Sequence, residues 1–137
     1  MPFRKGPNLP TGAEMRILNA VWQLGSATVD EIVNSFPEGQ RPNYKTTQAF
    51  LRIMENKRFV SHSLRGRAFV YRPRVKRSEV RRSSLRSLLD RYFLGSRSEL
   101  LVNLLENERI DTTELQELER LIRSYRKAKS SERQNNR

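Results

Sequence analysis

The sequence predicts a mainly α fold with one small β-hairpin. Three observations carry that prediction. Apolar residues recur at helical spacing in three segments before residue 58, the period shortens to two between Phe59 and Arg72, and helical spacing returns from Leu85 onward. Three helices followed by a hairpin is the order of a winged helix-turn-helix, the usual task of which is to bind DNA. The helices after the hairpin then make a separate C-terminal part, expected to serve dimerisation.

Residues 1–10 hold three of the six prolines and Gly6, which predicts a flexible basic arm whose Arg4 and Lys5 are within reach of a phosphate or minor groove. Thr11-Gly-Ala-Glu14 has the spacing of a capping box, in which the threonine oxygen takes a backbone N–H and the glutamate reaches back. Met15, Leu18 and Trp22 follow at helical spacing, and Gly25 is placed to end that helix. Thr28-Val-Asp-Glu31 opens a second helix with Val29, Ile32, Val33 and Phe36 on one stripe. Pro37, Gly39 and Pro42 break the chain before Asn43, a good N-cap for the third.

In that third helix Thr47, Phe50, Leu51 and Met54 form the apolar stripe. The opposite side carries Lys45, Gln48, Ala49, Arg52 and Asn56: cationic and amide donors, one small residue and no acid. Such a surface suits the major groove, where Arg or Lys pairs with guanine, Gln or Asn with adenine, and a small side chain admits a thymine methyl. With Asn43 capping, Tyr44, Lys45 and Thr46 make the first turn, where a recognition helix meets base edges. A solvated polar face on a core helix is the plainer alternative. The candidate DNA-binding residues here are Asn43, Tyr44, Lys45, Thr46, Gln48, Ala49 and Arg52.

Two strands are expected at Phe59–Leu64 and Arg67–Arg72, with Arg65-Gly66 as the tight turn. Arg65 and Arg67 then flank the wing tip, where guanidiniums reach phosphate or minor groove; a charged tip that merely keeps the edge soluble is the alternative. His62, the sole histidine, is expected to be structural. The winged helix is assigned to residues 11–75.

From 76 to 129 we expect three helices of about ten to sixteen residues, the ordinary range. Their apolar residues are Leu85, Leu88, Leu89, Tyr92 and Phe93; then, after Ser96-Arg-Ser-Glu99, Leu100, Leu101, Leu104 and Leu105; then, after Asp111-Thr-Thr-Glu114, Leu115, Leu118 and Ile122. Three helices in some fifty residues make a thin core, which a second copy would complete. Ser130–Arg137 has no apolar residue and is expected to be a disordered tail.

Charge points the same way. The 137 residues carry a net +12, unevenly: residues 1–77 hold 14 Lys and Arg against 5 Asp and Glu, residues 78–137 hold 13 against 10. The first part is the one suited to a polyanion. Between Ser98 and Glu119 there are seven acids and one arginine, a strip that DNA would repel. The chain has no cysteine, which excludes disulfides and thiolate metal sites. With one histidine, no phosphate-binding glycine loop and no metal-ligand cluster, neither an enzyme nor a cofactor is expected. No apolar run is long enough for a membrane span and the N-terminus lacks a signal's apolar core, so a cytoplasmic protein is expected.

The run LPTGAEMRILNAVWQLGSATVDEIV, then NYKTTQAFLRIMENKRFV, then GRAFVYRP, then YFLGSRSELLVNLLENERIDTTELQELERLI resembles the penicillinase and methicillin-resistance repressor family, the regulators of β-lactamase genes, and more distantly the copper-responsive repressors of the same fold. The likeness covers nearly all of residues 9–125. It implies a homodimeric repressor that occludes a promoter at a palindromic double-stranded DNA operator, with recognition contacts at Lys45, Thr46 and Ala49 and wing contacts at Arg65 and Arg67. Ala49 stands where the family more often has threonine. In the β-lactam branch a partner protease inactivates the repressor in its dimerisation domain; the matching bond is Asn103–Leu104, where that branch more often has phenylalanine after the asparagine. The copper branch senses metal through cysteines, which this chain lacks, so that mechanism does not transfer. A reading from another class is a winged-helix scaffold that binds nucleic acid without sequence preference or binds protein.

Overall fold

A computed structural model of the protein describes residues 9–107 and 109–135; Arg4 and Lys5 of the expected arm lie outside them. The order is α1 (Gly12–Leu24), α2 (Val29–Ser35), α3 (Tyr44–Asn56), β1 (Val60–Arg65), β2 (Ala68–Pro73), α4 (Arg77–Phe93), α5 (Arg97–Asn107) and α6 (Thr112–Asn135). This is a winged helix-turn-helix followed by further helices. The chain divides into two compact units, one ending at Leu88 and the other starting at Leu89, so the division falls inside α4. The sequence placed it after residue 75.

In the first unit both expected capping boxes form. Thr11 Oγ1 accepts from the Glu14 N–H at 3.2 Å while the Thr11 N–H donates to Glu14 Oε1 at 2.8 Å. Thr28 and Glu31 repeat the exchange at 3.2 and 3.1 Å. Each box satisfies backbone N–H groups that a helix start leaves orphaned. Gly25 ends α1 at φ 80°, its N–H on the Val21 carbonyl at 2.8 Å. The apolar stripes then meet: Ile17, Leu18 and Val21 of α1, Val29 and Ile32 of α2, and Leu51 and Met54 of α3 close one core with Phe59, just before β1, and with Val60 and Tyr71 of the hairpin.

β1 and β2 pair antiparallel, His62 opposite Tyr71 and Leu64 opposite Phe69. Arg65 pairs with Ala68, so the turn is Gly66-Arg67, one residue later than the sequence suggested. Gly66 has φ 63° and Arg67 is not among the positive-φ residues, the sign pattern of a type II′ turn with glycine first. Ala27 exchanges both backbone hydrogen bonds with Tyr71, at 2.9 and 2.8 Å, and so extends the hairpin by a single bridge. The chain leaving the hairpin is tied back to α1: Trp22 Nε1 donates to the Val75 carbonyl at 2.9 Å, and the Arg77 guanidinium lies 5.3 Å over the Trp22 ring.

α3 ends in a Schellman motif. The Phe59 N–H reaches the Met54 carbonyl at 2.9 Å and the Arg58 N–H reaches Glu55 at 3.0 Å. The left-handed position that glycine usually takes there is held by Arg58, at φ 68°.

In the second unit, Ser96 Oγ caps α5 by accepting from the Glu99 N–H at 3.2 Å, and Asp111 Oδ1 caps α6 from Glu114 at 2.8 Å. Two expectations change. α4 spans 17 residues and α6 spans 24, longer than the expected range, and α6 continues through Asn135 where a disordered tail was expected from residue 130. The physical reason is that 126–134 holds Ala, Lys, Arg, Glu and Gln around Ser130 and Ser131, with no Gly or Pro, so nothing stops a capped helix. Leu89, expected on a free dimerisation surface, is 8% exposed and already packed within the chain. Phe93, Leu100 and Leu118 are half-buried, whereas Leu85, Leu88, Tyr92, Leu101, Leu104, Leu105, Leu115 and Ile122 are exposed.

Candidate nucleic-acid interface

The surface of α3 is built in three bands. Its core band is Thr47, Leu51 and Met54, fully buried, with Phe50 packed beside them. At about 100° per residue, Lys45, Ala49, Ile53 and Asn56 fall on the outward band, with Thr46 at its edge; all are exposed. Tyr44, Gln48, Arg52 and Glu55 fall on a third band between the two. The sequence grouped Gln48 and Arg52 with Lys45 and Ala49; in the structure they turn toward the wing.

The first turn is held from below. Asn43 Oδ1 accepts from the Thr46 N–H at 3.1 Å, and Thr47 Oγ1 donates to the Asn43 carbonyl at 2.8 Å. Asn43 therefore shapes the helix start, and Tyr44, Lys45 and Thr46 are the exposed side chains it presents. The other end is held by Glu14 of α1. Its carboxylate, 1% exposed, takes Lys57 Nζ at 3.0 and 3.1 Å. Burial raises the Glu14 pKa, but the Thr11 backbone N–H and Lys57 outweigh it and hold the carboxyl below its ordinary value. The sequence showed Glu14 only as half of a capping box; the distant lysine had no local signal.

A cleft of about 320 Å³ opens where three elements meet. One wall is the band Tyr44, Gln48 and Arg52 of α3; the other is Arg67, Ala68, Phe69 and Tyr71 of the wing; Thr28, Val29 and Asp30 at the start of α2 complete it. Arg52 and Arg67 thus come from two separate elements to one opening. Asp30 is the acid among the lining residues, so the opening is cationic on balance. Arg65, on the other side of Gly66, lies near enough to α2 that its charge helps lower the Glu31 pKa, after the dominant hydrogen bonds from the Thr28 backbone and hydroxyl.

The wing is braced against α3. His62 Nδ1 lies 2.5 and 2.7 Å from the two Glu55 carboxylate oxygens, and its ring stacks on Phe69 at 4.2 Å and 19°. Tyr71 is 2% exposed beneath them, and burial, with Glu55 nearby, pushes its phenol pKa up. Sequence reasoning missed Thr28, Asp30, Phe69 and Tyr71 as neighbours of the candidate residues. The i, i+2 spacing of Phe69 and Tyr71 did place them on one strand face, but nothing local says that the face meets α3. Among the described residues no cluster of His, Cys, Asp or Glu could hold a metal ion, and no helix is long and apolar enough to cross a membrane.

The profile of the penicillinase repressor family matches residues 10–124. The chain belongs to the penicillinase repressor family. Relatives in it include a penicillinase repressor of Bacillus licheniformis, 26% identical over 93% of this chain and 98% of that protein. The penicillinase repressor of Staphylococcus aureus is 20% identical over 84% of this chain and 91% of its own length. The methicillin resistance regulatory protein MecI of the same species is 20% identical over 82% and 91%. Among solved structures, the DNA-binding domain of the repressor BlaI superposes with a TM-score of 0.46 at 26% identity, covering 56% of this chain and 93% of that one. The CopR repressor gives 0.41 at 33% identity, covering 48% and 96%.

Proposed function

We propose that this penicillinase repressor family member is a homodimeric, sequence-specific transcriptional repressor that occludes a promoter by binding a palindromic operator. The observation that carries the reading is the convergence of α3 and the wing on one cationic opening, with Arg52 and Arg67 facing it from two elements. A DNA strand passing between major and minor groove suits such an opening, its phosphates met by guanidiniums and its base edges by the outward band of α3. Lys45, Thr46 and Ala49 are assigned to base edges, Gln48 and Arg52 to the boundary between base and backbone, and Arg65 and Arg67 to the backbone or minor groove.

The second copy is assigned to the exposed apolar residues of α4, α5 and α6. A two-fold dimer sets its recognition helices about 34 Å apart, or a multiple of one DNA turn. Control of β-lactamase or related genes, and induction by a partner protease at Asn103–Leu104, belong to the same proposal. That bond lies within α5, where Asn103 Nδ2 donates to the Glu99 carbonyl at 2.9 Å, so the helix must open locally before a protease can take it. Cleavage there would sever α6 from the rest.

The test is selection of DNA from a random pool by the full-length protein at two salt concentrations. A protein making 6–10 phosphate contacts loses roughly 10³–10⁵ in affinity between 50 and 200 mM salt, so low salt alone rewards any DNA. A palindrome that survives the higher salt is the expected result. Binding that fades with no enriched motif would replace this reading with the non-specific scaffold.

A further inference from the structure

The outward band of α3 is polar or small except at one position. Ile53 is 47% exposed there, four residues after Ala49 and three before Asn56. The core does not claim it: its neighbours Leu51 and Met54 are fully buried, and Phe50 is packed against the core. The wing does not claim it either. Tyr44, Gln48 and Arg52 line the cleft and Glu55 holds His62, and at about 100° per residue Ile53 falls on the far flank from that band. A single exposed isoleucine is ordinary on a protein surface. This one continues a row, because Thr46, Ala49 and Ile53 are spaced 3-4 and are all exposed, so their methyl groups lie side by side on the face assigned to bases.

Against DNA such a side chain has few favourable neighbours. It has no donor or acceptor, so against a phosphate it would strip water from the oxygen and return nothing. In the major groove the apolar group that base pairs display is the C5-methyl of thymine. Burying that methyl against an aliphatic side chain releases water from both. The spacing fits as well. Lys45, Ala49 and Ile53 follow one another at four residues along one ridge of α3, so Ala49 and Ile53 stand about 6 Å apart along its axis. Stacked base pairs are about 3.4 Å apart, which makes that separation roughly two base steps.

We propose that Ile53 is a specificity-determining residue of this chain, reading the C5-methyl of a thymine about two base pairs from the base pair that Ala49 meets. The inference rests on the sequence-specific reading above and adds to it a residue and the base it selects. Cytosine lacks the methyl, so the contact distinguishes T·A from C·G at one position without a hydrogen bond.

The probe is the duplex selected from the random pool, with each thymine of one half-site replaced in turn by deoxyuridine, which removes the methyl and leaves pairing intact. Fluorescence anisotropy with the full-length protein reads the affinity. For the wild type one replacement should weaken binding roughly fourfold, the worth of one buried methyl. Ile53→Ala should bind more weakly, be indifferent to that replacement, and respond as the wild type does to every other. Ile53→Gln puts an amide donor and acceptor at the same place, so selection with it should lose the thymine at that position and keep the rest of the motif. Both variants should melt where the wild type does, because the side chain is exposed. A selected half-site without thymine, or a wild type indifferent to every replacement, would overturn the proposal. So would an Ile53→Ala variant that keeps all the wild-type responses, which would assign the methyl to another residue, or an Ile53→Gln variant that selects the wild-type motif. Each of these leaves the repressor reading standing, whereas a pool that yields no motif would remove both.

Discussion

Glu14 shows how much one side chain can carry. It caps α1 through Thr11 and holds the end of α3 through Lys57, with its carboxylate 1% exposed. Lys57→Met should cost about 1–3 kcal/mol in urea unfolding, because a buried carboxylate loses its cation but keeps its backbone N–H. The pH dependence follows from the depressed pKa. The contribution of Glu14 is present above its ordinary value of 4.5 and is lost as pH falls through its lower folded value, so Glu14→Gln should flatten the acid limb of the stability curve. A limb that stays as steep would assign acid unfolding to other carboxylates. Arg58 makes the opposite case, a residue in a position that favours another. With φ at 68° in the Schellman motif, Arg58→Gly should raise stability by about 0.5–1 kcal/mol and the melting temperature with it. A lower melting temperature would mean that the arginine side chain contributes more than its backbone strain costs. Of these roles only the capping box of Glu14 was legible in the sequence. Capping boxes are local and can be read, but a lysine 43 residues from its carboxylate, and the backbone angle of an arginine, are settled by tertiary structure.

Among the elements, α3 separates what a pattern reveals from what it hides. Its core stripe was readable because burial imposes a 3.6-residue period. The remaining surface looked like one polar face, and it is two. Lys45 and Ala49 look outward while Gln48 and Arg52 border the wing, because β2 lands beside that flank, held there by the bridge from Ala27 to Tyr71 and by Glu55 on His62. The division makes different demands on mutants. Lys45→Ala should weaken specific binding by about 1–3 kcal/mol and leave binding to random DNA much less affected, as should Arg52→Ala if its guanidinium reaches a base. Arg67→Ala should weaken both alike and lower the slope of log affinity against log salt by about one. Fluorescence anisotropy on selected and scrambled duplexes separates these outcomes. Equal losses for Lys45→Ala on both duplexes would reassign it to a phosphate. The hairpin itself was legible from its alternation and its glycine; its turn was off by one because Arg65 and Arg67 flank Gly66 symmetrically in sequence, and only the pairing of Arg65 with Ala68 breaks the tie.

At the scale of the whole molecule the two units differ in how they are finished. The first closes a core of its own, and the tie from Trp22 to Val75 shows that this core needs chain beyond the hairpin. A fragment ending at Pro73 would cut that tie; one ending at Leu88 keeps it. The longer fragment should fold, remain monomeric, and bind the operator much more weakly than the full chain, since it loses the second half-site. A fragment that is still dimeric by sedimentation would move the interface into the first unit. For the full chain the melting temperature should rise with protein concentration, the signature of folding linked to association. The change of period and the charge asymmetry of the sequence suggested a division after residue 75, and the structure divides inside α4, between Leu88 and Leu89. The length of α6 was not legible, since a run without stop signals does not announce where a helix ends.

The contact of His62 with Phe69 has a spectroscopic consequence. The chain holds one imidazole, and that ring lies nearly flat on a phenyl face at 4.2 Å. Its carbon-bound protons sit in the shielding cone of Phe69 and should give a pair of upfield-shifted resonances with no others of their kind to overlap them. Because His62 belongs to the wing and Glu55 to α3, those two lines would follow the closure of one on the other, in the unlabelled protein, as an operator duplex is titrated in.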